Sequence, residues 1–164
     1  MPMNQPPASI CLVRLSALGD VTHAVPVVRT LQAEWPEARI TWIVGRLEAE
    51  LLAGLPGVEL LVFDKGRGWR AYADLRRQLA GRRFDVLLQM QVALRANLAG
   101  RLVRAPLRIG FDRARARDGH GLFVNRRVAP HPHAHVLDGF FDFAAALGLE
   151  RRVLRWDIPV PEAA

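Results

Sequence analysis

The stretch that decides the fold is Ile10-Cys-Leu-Val-Arg-Leu15, followed by Ser16-Ala-Leu-Gly-Asp20 and by Val21-Thr-His-Ala-Val-Pro-Val-Val-Arg-Thr-Leu-Gln-Ala-Glu34. The first six residues form a short, nearly continuous apolar run, the pattern of a strand covered on both faces in a parallel sheet. The next five are a loop rich in turn residues. From Val21 the apolar positions take up helical spacing, with Val21, Ala24, Val28 and Leu31 on one stripe. Pro26 is expected in the first turn of this helix or at a kink, and Pro36 ends it.

The same alternation runs onward. Residues 39–44 (RITWIV) read as a second strand and 46–53 as a short helix. Residues 59–63 (ELLVF) read as a third strand, and 69–80 as a helix with Trp69, Tyr72, Arg76 and Leu79 spaced three and four apart. Residues 84–90 (FDVLLQM) are a fourth strand, 92–103 a helix and 107–111 (LRIGF) a fifth strand. A basic loop at 112–119 and a small apolar stretch at 122–124 follow, then a last helix at 135–147 ended by Gly148. Strands alternating with helices imply crossover connections and an α/β, doubly wound parallel sheet of Rossmann-like type. Residues 1–8 are expected to be a flexible leader, 9–155 the domain, and 156–164 the start of a linker.

Composition narrows the class. At 164 residues and 51% hydrophobic, the chain holds one domain with a sizeable core. No apolar run approaches the ~18 residues of a transmembrane helix, and the N-terminus lacks a secretory pattern, so a soluble cytoplasmic protein is expected. One cysteine, Cys11, excludes a disulfide framework; inside the first strand it reads as a small buried hydrophobe. The charge is +7, and Lys65 is the single lysine among 23 basic residues. Arginine forks suit phosphates and carboxylates, but arginine-rich usage alone also produces such a balance.

In a sheet of this type ligands bind beyond the carboxyl ends of the strands. Three loops fall there. The first holds Ser16, Gly19 and Asp20, at a helix start whose amides can hold an anion. Neither GxGxxG nor GxxxxGK[ST] is present. Asp20 reads either as the helix N-cap or as a carboxylate aimed into the cleft. The second loop is Lys65-Gly-Arg-Gly-Trp-Arg70, either a mobile anion-contacting loop or a solvated turn, with Arg95 after strand four able to point the same way. The third is Asp112-Arg-Ala-Arg-Ala-Arg-Asp118, with Arg115 and Arg117. That these arginines share the ligand side of the sheet points to an acidic substrate. His131, His133 and His135 alternate, a spacing open to a metal, but with no carboxylate or cysteine beside them they read as structural and no metal is expected. His23 fits either the core or the cleft.

Leu12-Val-Arg-Leu-Ser-Ala-Leu-Gly-Asp-Val-Thr-His-Ala-Val-Pro-Val-Val-Arg-Thr-Leu31, Trp35-Pro36, Ile40-Thr-Trp-Ile-Val44, Arg108-Ile-Gly-Phe-Asp-Arg-Ala-Arg-Ala-Arg117 and His135-Val-Leu-Asp138 resemble the lipopolysaccharide heptosyltransferases, glycosyltransferase family 9. The likeness keeps its order over nearly the whole chain and is closer to the enzyme that adds heptose to inner-core Kdo. It implies the N-terminal half of a GT-B enzyme, which binds Kdo-bearing lipid A at the inner face of the cytoplasmic membrane. The ADP-heptose-binding donor half has no counterpart here, so the chain alone is expected to be inactive. Asp20 matches the family's loop aspartate proposed as catalytic base. Ser16, Gly19, Arg67, Arg70, Arg95, Arg115 and Arg117 fall where acceptor contacts are expected. The family implies no cofactor and no metal; ADP-heptose is the donor substrate. The rival reading is a non-enzymatic basic α/β module binding an anionic partner such as RNA, although no RNA-reading motif is visible.

Overall fold

The computed structural model describes residues 5–116, 119–130, 136–150 and 152–154. Five strands and five helices follow the expected alternation: β1 (Ser9–Val13), α1 (Leu18–Glu34), β2 (Arg39–Gly45), α2 (Arg46–Leu52), β3 (Val58–Phe63), α3 (Trp69–Leu79), β4 (Val86–Gln89), α4 (Leu94–Arg101), β5 (Leu107–Gly110) and α5 (Val136–Ala146). A sixth strand, β6, is Arg126–Arg127, whereas the apolar stretch at 122–124 belongs to a turn and its exit. Two arginines carry no strand periodicity, so β6 had no signal in the sequence. The sheet is parallel throughout, in the order β3-β2-β1-β4-β5-β6. This is the doubly wound, Rossmann-like order, whose direction reverses between β1 and β4.

Alternation along β1 divides the core. Ile10 and Leu12 pack with Trp42, Leu88, Ile109 and the buried faces of α1 and α5. Cys11 and Val13 point the other way, to Ile43, Leu87 and the inner faces of α3 and α4. Both sides of the strand are dry, as its unbroken apolar run required. Burial pushes the Cys11 thiol pKa far above its usual range, so Cys11 behaves as the hydrophobe it was expected to be.

Helix α1 departs from expectation at two points. It starts at Leu18 rather than Val21, and Pro26 lies buried well inside it rather than in its first turn. Residues 24–31 are buried between the sheet and α5, so packing outweighs the backbone bond that proline forfeits. Thr30 Oγ1 donates to the Pro26 carbonyl at 2.8 Å and accepts from Val153 N at 2.9 Å. At the N-terminal side, Pro7 is buried and the Ala8 amide donates to Asp85 at 2.6 Å, which fixes the approach to β1. Residues 1–4, the whole of the expected linker at 156–164 and the histidines at 131, 133 and 135 lie outside the described residues.

Candidate functional site

The reversal of strand order opens a crevice where the chain leaves β1. Arg14 is the first residue past the strand, and its side chain is only 14% exposed. One guanidinium nitrogen donates to the Met90 carbonyl at the end of β4, at 2.8 Å. The other donates to Asp20 Oδ2 at 2.7 Å. The guanidinium also lies 5.2 Å from the Phe140 ring centroid of α5. Burial lowers the Arg14 pKa from its ordinary value, and the Asp20 carboxylate opposes that shift.

Asp20 itself is in the first turn of α1, where the positive end of the helix favours an anion. It is not the N-cap. That position is Ala17, which makes no side-chain capping bond, because the helix begins three residues earlier than expected. The Asp20 side chain remains 37% exposed, so its pairing with Arg14 leaves it open to solvent.

The loop between β1 and α1 is clamped by its neighbours. Gln91 Oε1 accepts from the Leu15 amide at 2.8 Å and the Ser16 amide at 3.3 Å. Gln91 Nε2 donates to Ser16 Oγ at 3.4 Å. From the β2 side, Trp42 Nε1 donates to the Arg14 carbonyl at 3.2 Å and Gly45 N to the Leu15 carbonyl at 3.0 Å. A Cβ at Gly45 would lie 2.7 Å from that same carbonyl and against the Glu48 carboxylate, so only glycine lets β2 approach this closely.

Beside this loop is a cavity of about 230 Å³, walled by Ser16, Gln91, Arg46, Lys65 and Arg95, with Glu48, Phe63 and Leu47 completing it. Asp64 Oδ1 accepts from Gly66 N at 3.0 Å and so shapes the turn that brings Lys65 in. Three cations against the Glu48 and Asp64 carboxylates give the wall a positive balance.

Of the residues expected from sequence, Ser16 and Arg95 line this cavity and Asp20 stands at the adjoining helix start. Gly19 leaves open space, since a Cβ there would meet nothing within 4 Å, and its carbonyl is 2.8 Å from His23 Nδ1. Arg67 and Arg70 are elsewhere. Arg67 pairs with Asp74 at 2.6 Å, and both arginines line a separate groove on the outside of α3. Arg115 is engaged in the structure: it pairs with Asp112 and, at 3.1 Å, with Asp142 of α5, and stacks 5.1 Å from the Phe111 centroid. Arg117 lies outside the described residues. Among the described residues no group of three or more His, Cys, Asp or Glu side chains could hold a metal ion, and no helix is long and apolar enough to cross a membrane.

Polar residues not singled out by sequence reasoning are Arg14, Gln91 and Arg46 at this site and His120 outside the cavity. Arg14 lay inside an apolar run and Gln91 followed one, so neither carried a local signal. His120 is fully buried. Its Nε2 accepts from Phe111 N at 2.9 Å, which leaves the proton on Nδ1 to donate to Asn97 Oδ1 at 2.8 Å. Burial and the nearby Arg127 charge push its pKa down to about 4.

Residues 72–164 match the sequence profile of glycosyltransferase family 9 (heptosyltransferase). Over 163 residues, 99% of the chain, it is 41% identical to the lipopolysaccharide core heptosyltransferase OpsX of Haemophilus influenzae, covering 47% of that protein. The fold matches E. coli heptosyltransferase WaaC, solved with ADP-2-deoxy-2-fluoro heptose, with a TM-score of 0.76 and 23% identity, over 91% of this chain and 51% of that one. A family 9 glycosyl transferase from Veillonella parvula gives a TM-score of 0.81 at 19% identity, over 95% of this chain and 46% of that one. The chain therefore spans about half the length of the relatives it matches, and its fold is that of the N-terminal half of a GT-B heptosyltransferase.

Proposed function

The chain belongs to glycosyltransferase family 9, and from that premise we propose that it is the acceptor-binding half of an inverting heptosyltransferase, moving heptose from ADP-heptose to the Kdo of the lipopolysaccharide inner core. The observation that carries this reading is the pairing of an anchored, partly exposed carboxylate, Asp20, with a neighbouring cavity walled by Arg46, Lys65 and Arg95. Cations of that kind suit a sugar acid, and the volume suits one sugar ring. The donor nucleotide is held by a second half of the protein. The enzyme works at the inner face of the cytoplasmic membrane, where its lipid-linked acceptor is made, and nucleic acid is not its partner.

The chemistry needs one base. As the acceptor hydroxyl oxygen attacks the anomeric carbon of the heptose, Asp20 takes its proton. The bond from that carbon to the diphosphate oxygen breaks on the opposite face, ADP leaves with the electron pair, and the anomeric configuration inverts. Arg14 holds one oxygen of Asp20, which fixes the direction of the other.

The test is Asp20→Asn in a polypeptide carrying both halves. Loss of the base is expected to lower kcat by roughly 10²–10⁴-fold, the usual worth of a general base. Acceptor KM is expected to change little. Near-normal kcat would refute the assignment.

A further inference from the structure

Arg67, Trp69 and Arg70 stood out in the sequence, yet they lie outside the cavity and the proposed reaction makes no use of them. They begin the outer face of α3. That helix buries Ala71, Leu75 and Leu79 against the sheet, which turns Trp69, Arg70, Ala73, Arg76 and Arg77 to solvent along a shallow groove. Trp69 is 75% exposed and lines this groove together with the exposed Ala73 and Ala80. The Arg70 guanidinium lies 5.9 Å from its ring centroid. Asp74, the single acid in the groove, is already shared by Arg67 and Arg77. Among the described residues no acid pairs with Arg70 or Arg76, so the face is strongly cationic.

We infer that this face of α3 is a docking surface for the headgroup layer of an anionic lipid bilayer. Its charge is complementary to such a layer. Indole is amphipathic and settles where apolar and wet regions meet. Arginine stems lie along apolar material while their heads reach phosphates. A helix with one face packed on its protein and the other holding an aromatic between cations can lie flat in that zone. A nucleic acid also attracts arginines, but it draws on successive aromatic platforms for its bases. This face has one ring, already approached by Arg70.

The location adds weight. The turn at Lys65–Arg67 leads straight into α3, and Lys65 and Gly66 line the cavity. A bilayer held on α3 thus lies beside the mouth through which a lipid-linked sugar would enter. That last link rests on the proposed function; the docking itself does not.

The experiment floats the chain with vesicles of phosphatidylglycerol and phosphatidylcholine, and with phosphatidylcholine alone, neither containing glycolipid. Binding is expected to the anionic vesicles only, and to weaken with salt. Each cation near such a surface contributes about fivefold, so the double variant Arg70→Gln/Arg76→Gln is expected to lower partitioning by about 25-fold. Trp69→Ala is expected to lower it as well, and Trp69→Tyr to retain most of it. The double variant Arg101→Gln/Arg104→Gln removes the same charge from exposed positions elsewhere and is expected to leave binding unchanged. Absence of vesicle binding overturns the inference. So does an equal loss in the Arg101/Arg104 variant, which would reduce the effect to net charge. So does single-stranded RNA binding tighter than vesicle binding and abolished by the α3 substitutions. Binding of Kdo to the chain in solution reads the cavity separately. A chain that binds Kdo but not vesicles keeps the proposed function and loses this surface.

Discussion

Arg14 and Asp20 are joined by a 2.7 Å ion pair that runs from the end of β1 to the first turn of α1. The same guanidinium holds Met90, so one side chain ties the carboxylate to both strands flanking the crevice. Lysine carries a single compact charge and cannot span both partners. Arg14→Lys is expected to lower stability by about 1–3 kcal/mol, the cost of leaving a buried carbonyl unpaired. In the two-half enzyme it is also expected to lower kcat more than it raises acceptor KM. Thermal melts and steady-state rates check both parts, and an unchanged melting temperature would show that Arg14 does not clamp the crevice.

Gln91 offers a finer separation. Gln91→Met keeps the volume but leaves the Leu15 and Ser16 amides without their acceptor, so it is expected to destabilise the fold by roughly 1–3 kcal/mol and to weaken Kdo binding. Gln91→Glu keeps an oxygen for both amides and is expected to preserve stability. Its negative charge on the cavity wall is nevertheless expected to weaken an anionic ligand. Titration calorimetry beside thermal melts distinguishes the two effects.

Helix α4 approaches the sheet where Gln89 is buried in β4. A Cβ at Gly100 would fall against Gln89 Oε1 and 2.9 Å from its Cδ. Gly100→Ala would ordinarily gain about 1 kcal/mol of helix propensity. Here overpacking, typically about 1–3 kcal/mol, is expected to outweigh the gain. Combining it with Gln89→Ala is expected to restore the gain relative to Gln89→Ala alone, a coupling that denaturant melts of the four variants measure.

Acid is expected to act through His120. Its Nε2 receives the Phe111 N–H, so a second proton has no room to serve that bond. The folded state holds the imidazole neutral, with a pKa near 4 against an ordinary 6.5. The contribution is therefore fully present above about pH 6.5 and is lost as pH falls toward about 4. His120→Ala is expected to be less stable than the parent at neutral pH, with a difference that shrinks through this window. A difference independent of pH would show that the neutral imidazole is not the form the fold selects.

The core was largely legible because periodicity reports burial. The run at Ile10–Val13 is apolar on both faces, and both faces are covered. The helix starts were less legible. Leu18 and Gly19 look like loop residues, so α1 was placed too late and Asp20 took on a capping role that Ala17 fills without a side-chain bond. Among the arginines, sequence order indicated which end of the sheet they approach but not which way they turn. Arg95 lines the cavity, Arg67 and Arg70 wrap onto α3, and Arg115 is drawn into the acids of α5 and its own loop. Such choices depend on partners distant in sequence: Asp142 is 27 residues from Arg115, and Gln91 is 76 from the amide of Leu15.

That last separation governs how the chain is made. β1 emerges from the ribosome first, yet it is the strand that needs β2 on one side and β4 on the other. At about 5–20 residues per second, the wait for β4 lasts roughly 4–15 s. During that interval an apolar edge stands open with half its amides and carbonyls unsatisfied. Synthesis speed through residues 14–89 thus sets how long the nascent chain is open to wrong partners, and a chaperone that shields the Ile10–Val13 edge is expected to matter more for its yield than one acting after release.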